Sequence, residues 1–140
     1  MRKISDYDLL MLLRKNARAS YTELAKHFGV SDTAIRKRIK KLEDEKVIIR
    51  YTVEIDPKKI GFNIVALIGI DTLPEQYISI IEDLKKRKDV ISMYSSTGDH
   101  MILIECWFRN SDELTKFVKD LEKMRGVTKI CPAIILEKIK

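Results

Sequence analysis

The chain has 140 residues, of which 45% are hydrophobic and 34% charged, and its formal net charge is +6. It contains no apolar run long enough for a membrane span and no secretory signal at its N-terminus, and its two cysteines lack CxxC or Cys/His spacing. We therefore expect a cytoplasmic protein with reduced thiols, no metal site and no cofactor.

The positive charge is concentrated in the first part of the chain. Residues 1–60 contain 15 Lys and Arg against 9 Asp and Glu, whereas residues 61–140 contain 12 of each kind. This asymmetry favours two domains and makes double-stranded DNA the leading candidate partner of the first one.

Two short helices joined by a tight turn are predicted after a leucine-rich N-terminal helix. Ser20 and Glu23 have the spacing of a capping box, which begins the first of the two. Gly29 is suited to end it in a left-handed conformation, and Ser31 can cap the next helix. This pattern predicts a helix-turn-helix, in which the second helix enters the major groove.

The second helix is predicted to be apolar on one stripe and cationic on the other. Its apolar residues recur at Ile35, Ile39 and Leu42, and five basic residues fall within 36–41. Side chains near the helix start reach base edges, so Thr33, Arg36 and Lys37 are candidates for base contact, and Lys40 for phosphate contact. The complete set of DNA-binding candidates is Ser31, Asp32, Thr33, Arg36, Lys37 and Lys40. A merely solvated helix face is the alternative.

The middle of the chain is predicted to connect two domains. Residues 48–55 are rich in β-branched side chains and predict a strand. Residues 56–61 combine an N-cap Asp, a Pro and a terminal Gly, which indicates a single helical turn. We therefore divide the chain into a DNA-binding domain 1–47, a strand and linker 48–62, and a second domain 63–140.

The second domain alternates strands and helices in the order β-α-β-β-α-β. The predicted elements are a strand at 65–72, a helix at 74–88 with Tyr77, Ile78, Ile81 and Leu84 inward, strands at 90–97 and 100–108, a helix at 110–124 and a strand at 127–136. Gly98 and Asp99 indicate the hairpin between the middle strands. The chain is thus predicted to be α+β, with a ferredoxin-like second domain.

Two strands of this domain are apolar on both faces, although the helices of such a fold cover only one. A second copy of the chain is the economical cover, so we expect a homodimer. Pro132 predicts that the last strand lies at a sheet edge. The basic residues 85–88 fit a second DNA patch, or cations that complement a helix C-terminus, which is the stronger interpretation.

These features together resemble the Lrp/AsnC family of prokaryotic transcription regulators. The resemblance rests on residues 6–8 with the leucines that follow, on 17–25, on 30–42, on 47–57, and on 97–100 with 126–127. It covers essentially the whole chain, and its N-terminal part is the more specific.

The resemblance implies a winged-helix-like DNA-binding domain and an ACT-like domain that senses a ligand and mediates assembly into dimers, tetramers, octamers or higher forms. Many members respond to an amino acid bound near the Gly-Asp turn, which makes Gly98, Asp99 and His100 effector-binding candidates. Members that bind amino acids commonly carry Asp at the position of Met101, so the ligand amine lacks a charged partner here. A plain hairpin turn is the alternative for these residues.

The sequence therefore predicts a transcriptional regulator that binds a pseudo-palindromic operator and controls its own gene, possessing no catalytic residues. A DNA-organising protein without sequence preference is the main alternative, and uniform, strongly salt-dependent binding would identify it. Some enzymes of haem biosynthesis are similar to this family in architecture, which leaves an enzyme using His100 as a further alternative.

Overall fold

A computed structural model describes residues 4–140, and the chain divides into two compact units, Met1–Glu54 and Ile55–Lys140. Each unit has its own hydrophobic core. The first three residues of the predicted domain 1–47 lie outside the described part. Within 4–140, no helix is both long and apolar enough to cross a membrane.

The N-terminal unit is built from three helices whose starts are fixed by serine caps. They are α1 (Asp6–Lys15), α2 (Tyr21–Phe28) and α3 (Asp32–Asp44). Each of the hydroxyls of Ser5, Ser20 and Ser31 accepts a hydrogen bond from a backbone N–H in the first turn of the helix that follows it. The two predicted helices of the helix-turn-helix are confirmed.

The core of this unit gathers the apolar stripes of all three helices. Its buried residues are Ile4, Leu9, Leu13, Leu24, Ala25, Ile35, Ile39 and Leu42. Burial of one large aliphatic side chain contributes about 1.5–3 kcal/mol, so this cluster holds α3 against the other two helices. The predicted inward stripe of α3 is confirmed.

The segment after α3 does not form the predicted strand at 48–55. Residues 49–56 adopt neither helix nor strand, and the backbone N–H groups of Val47 and Ile48 instead bond back to the Leu42 carbonyl. The prediction was wrong because β-branched composition is insufficient without a partner strand, and no strand of residues 4–140 pairs with this segment. The predicted helical turn does form, as a 3₁₀ helix at Pro57–Ile60.

The C-terminal unit has the predicted β-α-β-β-α-β order. Its elements are β1 (Ile64–Thr72), α4 (Tyr77–Lys85), β2 (Val90–Ser95), β3 (Ile102–Phe108), α5 (Ser111–Glu122) and β4 (Val127–Ile134). The strands pair antiparallel in the order β2-β3-β1-β4. β4 is therefore an edge strand, where the Pro132 backbone costs no ladder hydrogen bond with a further neighbour.

One face of the sheet packs against the two helices. The buried residues there are Ala66, Ile68, Ile70, Ile102, Ile104, Cys106 and Phe108 from the strands, and Ile80, Leu84, Phe117 and Leu121 from the helices. The other face, which we call the open face, carries Val65, Leu67, Leu103 and Trp107 together with Tyr94 of β2. Leu67 and Tyr94 are 37% and 59% exposed. The predicted apolar character of both faces is confirmed.

The helix predicted at 74–88 is shorter, and three of its four predicted inward residues, Tyr77, Ile81 and Leu84, pack on the core. A 3₁₀ turn at Pro74–Gln76 precedes α4, and α4 buries Ile80 and Leu84 while Ile78 is 68% exposed. The inward placement of Ile78 was wrong. The inward stripe of α4 runs through Tyr77, Ile80, Ile81 and Leu84, and Ile78 lies about 100° around the helix from Tyr77, outside this stripe.

Candidate DNA interface and effector region

The orientation of α3 is set by the turn that precedes it. Gly29 adopts φ +65°, and the Val30 N–H donates to the Ala25 carbonyl at 3.1 Å, which closes α2. The Ser31 hydroxyl then accepts the Ala34 N–H at 3.1 Å. The predicted candidate Ser31 thus acts as the cap of α3, and its hydroxyl proton stays available to a ligand oxygen.

The predicted DNA-binding side chains share the exposed arc of α3. Thr33, Arg36, Lys37 and Lys40 are all exposed, whereas Ile35 is completely buried on the opposite side. The structure therefore brings the predicted candidates together on one surface, as the helical spacing indicated.

The basic residues of α3 differ in how their charges are used. Arg38 forms an ion pair with Asp6 of α1 at 3.1 Å, which fastens α3 to α1. Lys40 pairs with Asp44 at 3.4 Å on the exposed surface, where such pairs are worth ~0–1 kcal/mol and yield readily to a phosphate. Among residues 4–140, Lys37 has no ion-pair partner.

Two residues at the start of α2 contact the start of α3. The ring centroid of Tyr21 lies 4.9 Å from Arg36 Cζ, a cation–π contact. The Thr22 hydroxyl donates to Asp32 Oδ2 at 2.8 Å. In the sequence, Tyr21 and Thr22 are simply the two residues between Ser20 and Glu23 of the predicted capping box. Their cross-helix contacts have no sequence signal, because they depend on the angle between the helices.

Tyr51 adds an electrostatic contact near the end of α3. Partial burial, followed by the nearby Glu43 carboxylate, raises the pKa of Tyr51 above its ordinary value of 10.0. The phenol is therefore protonated at neutral pH, and its O–H is a donor next to this end of the helix.

The predicted effector turn lies in a loop between β2 and β3. The loop spans residues 96–101, it is closed by a hydrogen bond from the Ser96 N–H to the Met101 carbonyl at 2.9 Å, and Gly98 has φ +100°. Its length exceeds that of the predicted tight hairpin at Gly98 and Asp99. Asp99 is exposed to solvent, whereas His100 is partly buried.

His100 folds back onto β1 and contacts two residues that the sequence analysis missed. His100 Nδ1 lies 3.1 Å from Asp71 Oδ2, and Asp71 Oδ1 accepts the Met101 N–H at 3.0 Å. The His100 ring also lies directly over Gly69, where a Cβ atom would come within 2.3 Å of His100 Cδ2. A glycine inside a strand commonly marks such a close approach, and this signal was available in the sequence.

Asp71 is held in its charged form by these contacts. Burial acts to raise its pKa, but the hydrogen bonds from His100 and from the Met101 N–H outweigh burial and lower the pKa below 3.8. A carboxylate therefore lies beside Met101.

Two of the four basic residues at 85–88 contact neighbouring side chains within the C-terminal unit. Lys85 pairs with Glu82 at 3.1 Å, and the Arg87 guanidinium lies 5.5 Å from the Phe117 ring centroid. Arg87 also donates to Met124 Sδ. These contacts favour the interpretation that the cluster ends α4 and packs on α5.

No group of His, Cys, Asp and Glu side chains within the described part of the chain is arranged to hold a metal ion. Burial raises the pKa of the Cys106 thiol to about 12, with a smaller effect of Asp89, so this cysteine is a neutral core residue.

Comparisons with known proteins agree with this architecture. Residues 5–43 match the model of the AsnC-type helix-turn-helix domain, and residues 65–140 match that of the Lrp/AsnC ligand binding domain. The HTH-type transcriptional regulator LrpA of Pyrococcus horikoshii is 46% identical over 136 residues, which cover 96% of each chain.

Solved structures show the same fold. The structure of E. coli AsnC superposes with a TM-score of 0.83 at 28% identity, covering 99% of this chain and 95% of that one. A transcriptional regulator of Neisseria meningitidis, solved in complex with L-Met, superposes with a TM-score of 0.88 at 23% identity, covering 99% and 93%.

Proposed function

The chain belongs to the Lrp/AsnC family of transcriptional regulators, and from this premise we propose that α3 reads a short pseudo-palindromic operator in the major groove. The protein is a DNA-binding regulator of transcription and not an enzyme. We place it in the cytoplasm, with the DNA.

The observation that carries this proposal is the single exposed arc of α3. Arg36 has the donor geometry to bind a guanine O6 and N7 together, and Thr33 and Lys37 flank it on the same arc. Lys40 lies further along the helix and is assigned to a phosphate, as is the Ser31 hydroxyl. Asp32 Oδ1 can accept from a cytosine amino group, since Thr22 occupies Oδ2.

A second copy of the chain is the partner that we propose for the open face. Exposed apolar side chains there, including Leu67 and Tyr94, form the kind of surface that homodimers bury. The segment after α3, which pairs with no strand of residues 4–140, supports the same proposal, because its alternate residues Val47, Ile49, Tyr51 and Val53 are exposed. A two-fold dimer presents two copies of α3 to the two halves of a palindrome.

We further propose that dimers assemble into tetramers or octamers and that an amino acid binds at the loop carrying Gly98, Asp99 and His100. The Asp71 carboxylate is the candidate partner for the ligand amine, because it is a charged group next to position 101 and each of its oxygens retains acceptor capacity beyond its contact with His100 or the Met101 N–H. Calorimetric titration with L-methionine and the other common amino acids tests this. Binding that Asp71→Asn abolishes supports the assignment, and binding unchanged in that variant contradicts it.

The DNA-binding proposal is tested by iterative selection of duplexes from a random pool, followed by binding measurements on the selected site and on random DNA. We expect an enriched inverted repeat, and Arg36→Ala to cost about 1–3 kcal/mol on that site and much less on random DNA.

The matched control is Arg38→Ala, which removes an equal charge from the same helix. Because Arg38 pairs with Asp6, we expect this variant to lose stability but to keep its sequence preference. If the selection enriches no sequence, and the protein binds every duplex tested with a strong dependence on salt, it is instead a DNA-organising protein.

A further inference from the structure

Two side chains of the N-terminal unit, Asp32 and Tyr21, are candidates to contact Arg36, and in the structure Arg36 contacts Tyr21. Asp32 and Arg36 are four residues apart in α3, the spacing at which opposite charges pair on a helix. Other pairs with this spacing do form in the same helix, between Lys40 and Asp44 and between Lys41 and Glu45. Within residues 4–140, Arg36 forms no ion pair.

Instead of pairing with each other, Asp32 and Arg36 each contact a residue at the start of α2. The Thr22 hydroxyl donates to Asp32 Oδ2 at 2.8 Å, and Arg36 Cζ lies over the Tyr21 ring, 4.9 Å from the ring centroid. Both contacts come from consecutive residues, whose backbone is fixed by the capping box of Ser20 and Glu23. The aromatic ring therefore belongs to the capped start of a helix rather than to a loop.

An aromatic face binds a guanidinium without consuming its N–H donors. A bidentate ion pair with Asp32 would occupy two of the five donors and turn the planar group toward the carboxylate rather than toward a guanine or a phosphate. Stacking on Tyr21 leaves them available and restricts the many rotamers of a long side chain before DNA arrives. Tyr21 is itself 39% exposed, so the stacked pair lies at the protein surface.

From this geometry we propose that Tyr21 is a positioning residue for DNA recognition: its ring holds the Arg36 guanidinium in its DNA-contacting orientation. This inference rests on the proposed role of Arg36. It means that α2, the first helix of the helix-turn-helix, contributes to sequence preference together with the recognition helix α3.

The test is a double-mutant cycle between Tyr21→Leu and Arg36→Ala, measured on the selected site. A stacked cation at an exposed position corresponds to an affinity change of about two- to five-fold, and we expect this loss for Tyr21→Leu in the presence of Arg36. We expect no further loss for Tyr21→Leu when position 36 is already alanine. An equal loss in both backgrounds overturns the proposal, because Tyr21 would then act independently of Arg36.

Tyr21→Phe is the matched control, since it keeps the aromatic face and removes only the hydroxyl. We expect it to bind the site as the unmodified chain does. A loss equal to that of Tyr21→Leu would show that the hydroxyl contacts DNA directly, and it would overturn the positioning role.

A measurement on the free protein guards against an effect of misfolding. In NMR spectra, ring currents should shift the side-chain protons of Arg36 upfield in the unmodified chain and in Tyr21→Phe, but not in Tyr21→Leu. The absence of this shift in the unmodified chain overturns the proposal. If the selection enriches no site, the proposed function fails. The ring-current shift, together with the same double-mutant cycle measured on random DNA, then decides separately whether Tyr21 orients Arg36.

Discussion

Replacement of Gly69 by alanine tests the contact between the loop at residues 96–101 and the sheet. Gly69 lies within the strand β1, and an added Cβ atom would approach His100 Cδ2 to 2.3 Å and Cγ to 2.4 Å. These ring atoms belong to a side chain held by Asp71, so the ring must leave its position. We expect Gly69→Ala to destabilise the folded chain.

The magnitude follows from three contributions. Loss of the hydrogen bond between His100 and Asp71 costs about 1.5 kcal/mol, at the lower end for charged groups because both side chains are 20% exposed. Overpacking adds about 1 kcal/mol. Alanine also lowers the conformational entropy of the unfolded chain, which stabilises the folded chain by about 0.5 kcal/mol, since a strand conformation suits alanine. The expected net loss is about 2 kcal/mol.

The assay is urea-induced unfolding at one fixed protein concentration, because assembly would otherwise shift the apparent stability. Gly69→Ala is compared in the unmodified chain and in His100→Ala. In the second background the methyl group occupies space that the ring has vacated, so we expect a gain of about 0.5 kcal/mol instead of a loss. An equal loss in both backgrounds would refute the contact between His100 and Gly69.

Three further predictions follow from the structure. Ile80→Ala should cost about 2–5 kcal/mol in urea unfolding, whereas Ile78→Ala in the same helix should change stability by less than about 0.5 kcal/mol; equal effects would contradict the orientation of α4. The lowered pKa of Asp71 contributes stability above pH 3.8 that is lost as pH falls through the folded value, so Asp71→Asn should be less stable at pH 7 and less sensitive to acid, and parallel acid profiles would disprove this. In a Cys131→Ser variant, which lacks the other, partly exposed thiol, Cys106 should react with Ellman's reagent only after unfolding, because it is buried and its pKa is raised to about 12; rapid labelling of this folded variant would contradict the burial of Cys106.

Local chemistry in the sequence predicted the helix-turn-helix closely. The caps Ser20 and Ser31 and the left-handed Gly29 lie where the sequence indicated, because each acts on backbone groups within a few residues. The exposed arc of α3 was predictable for the same reason, since helical spacing alone decides which side chains share a face.

Features that depend on distant partners were not predictable in the same way. The segment 48–55 has strand composition but forms no strand, because pairing requires a partner that the described chain lacks. The contact of His100 with Asp71 joins residues 29 positions apart and depends on the register of β1 and β3. Likewise, the stacking of Tyr21 on Arg36 depends on the angle between α2 and α3.

The central claim is that α3 gives this regulator sequence-specific DNA binding, and the most direct test is a footprint on the DNA upstream of its own gene. The measurement uses excess random competitor at physiological salt, with the unmodified chain and with Arg36→Ala. We predict protection of a discrete pseudo-palindrome that Arg36→Ala loses. Diffuse coating that is the same for both proteins would contradict the claim.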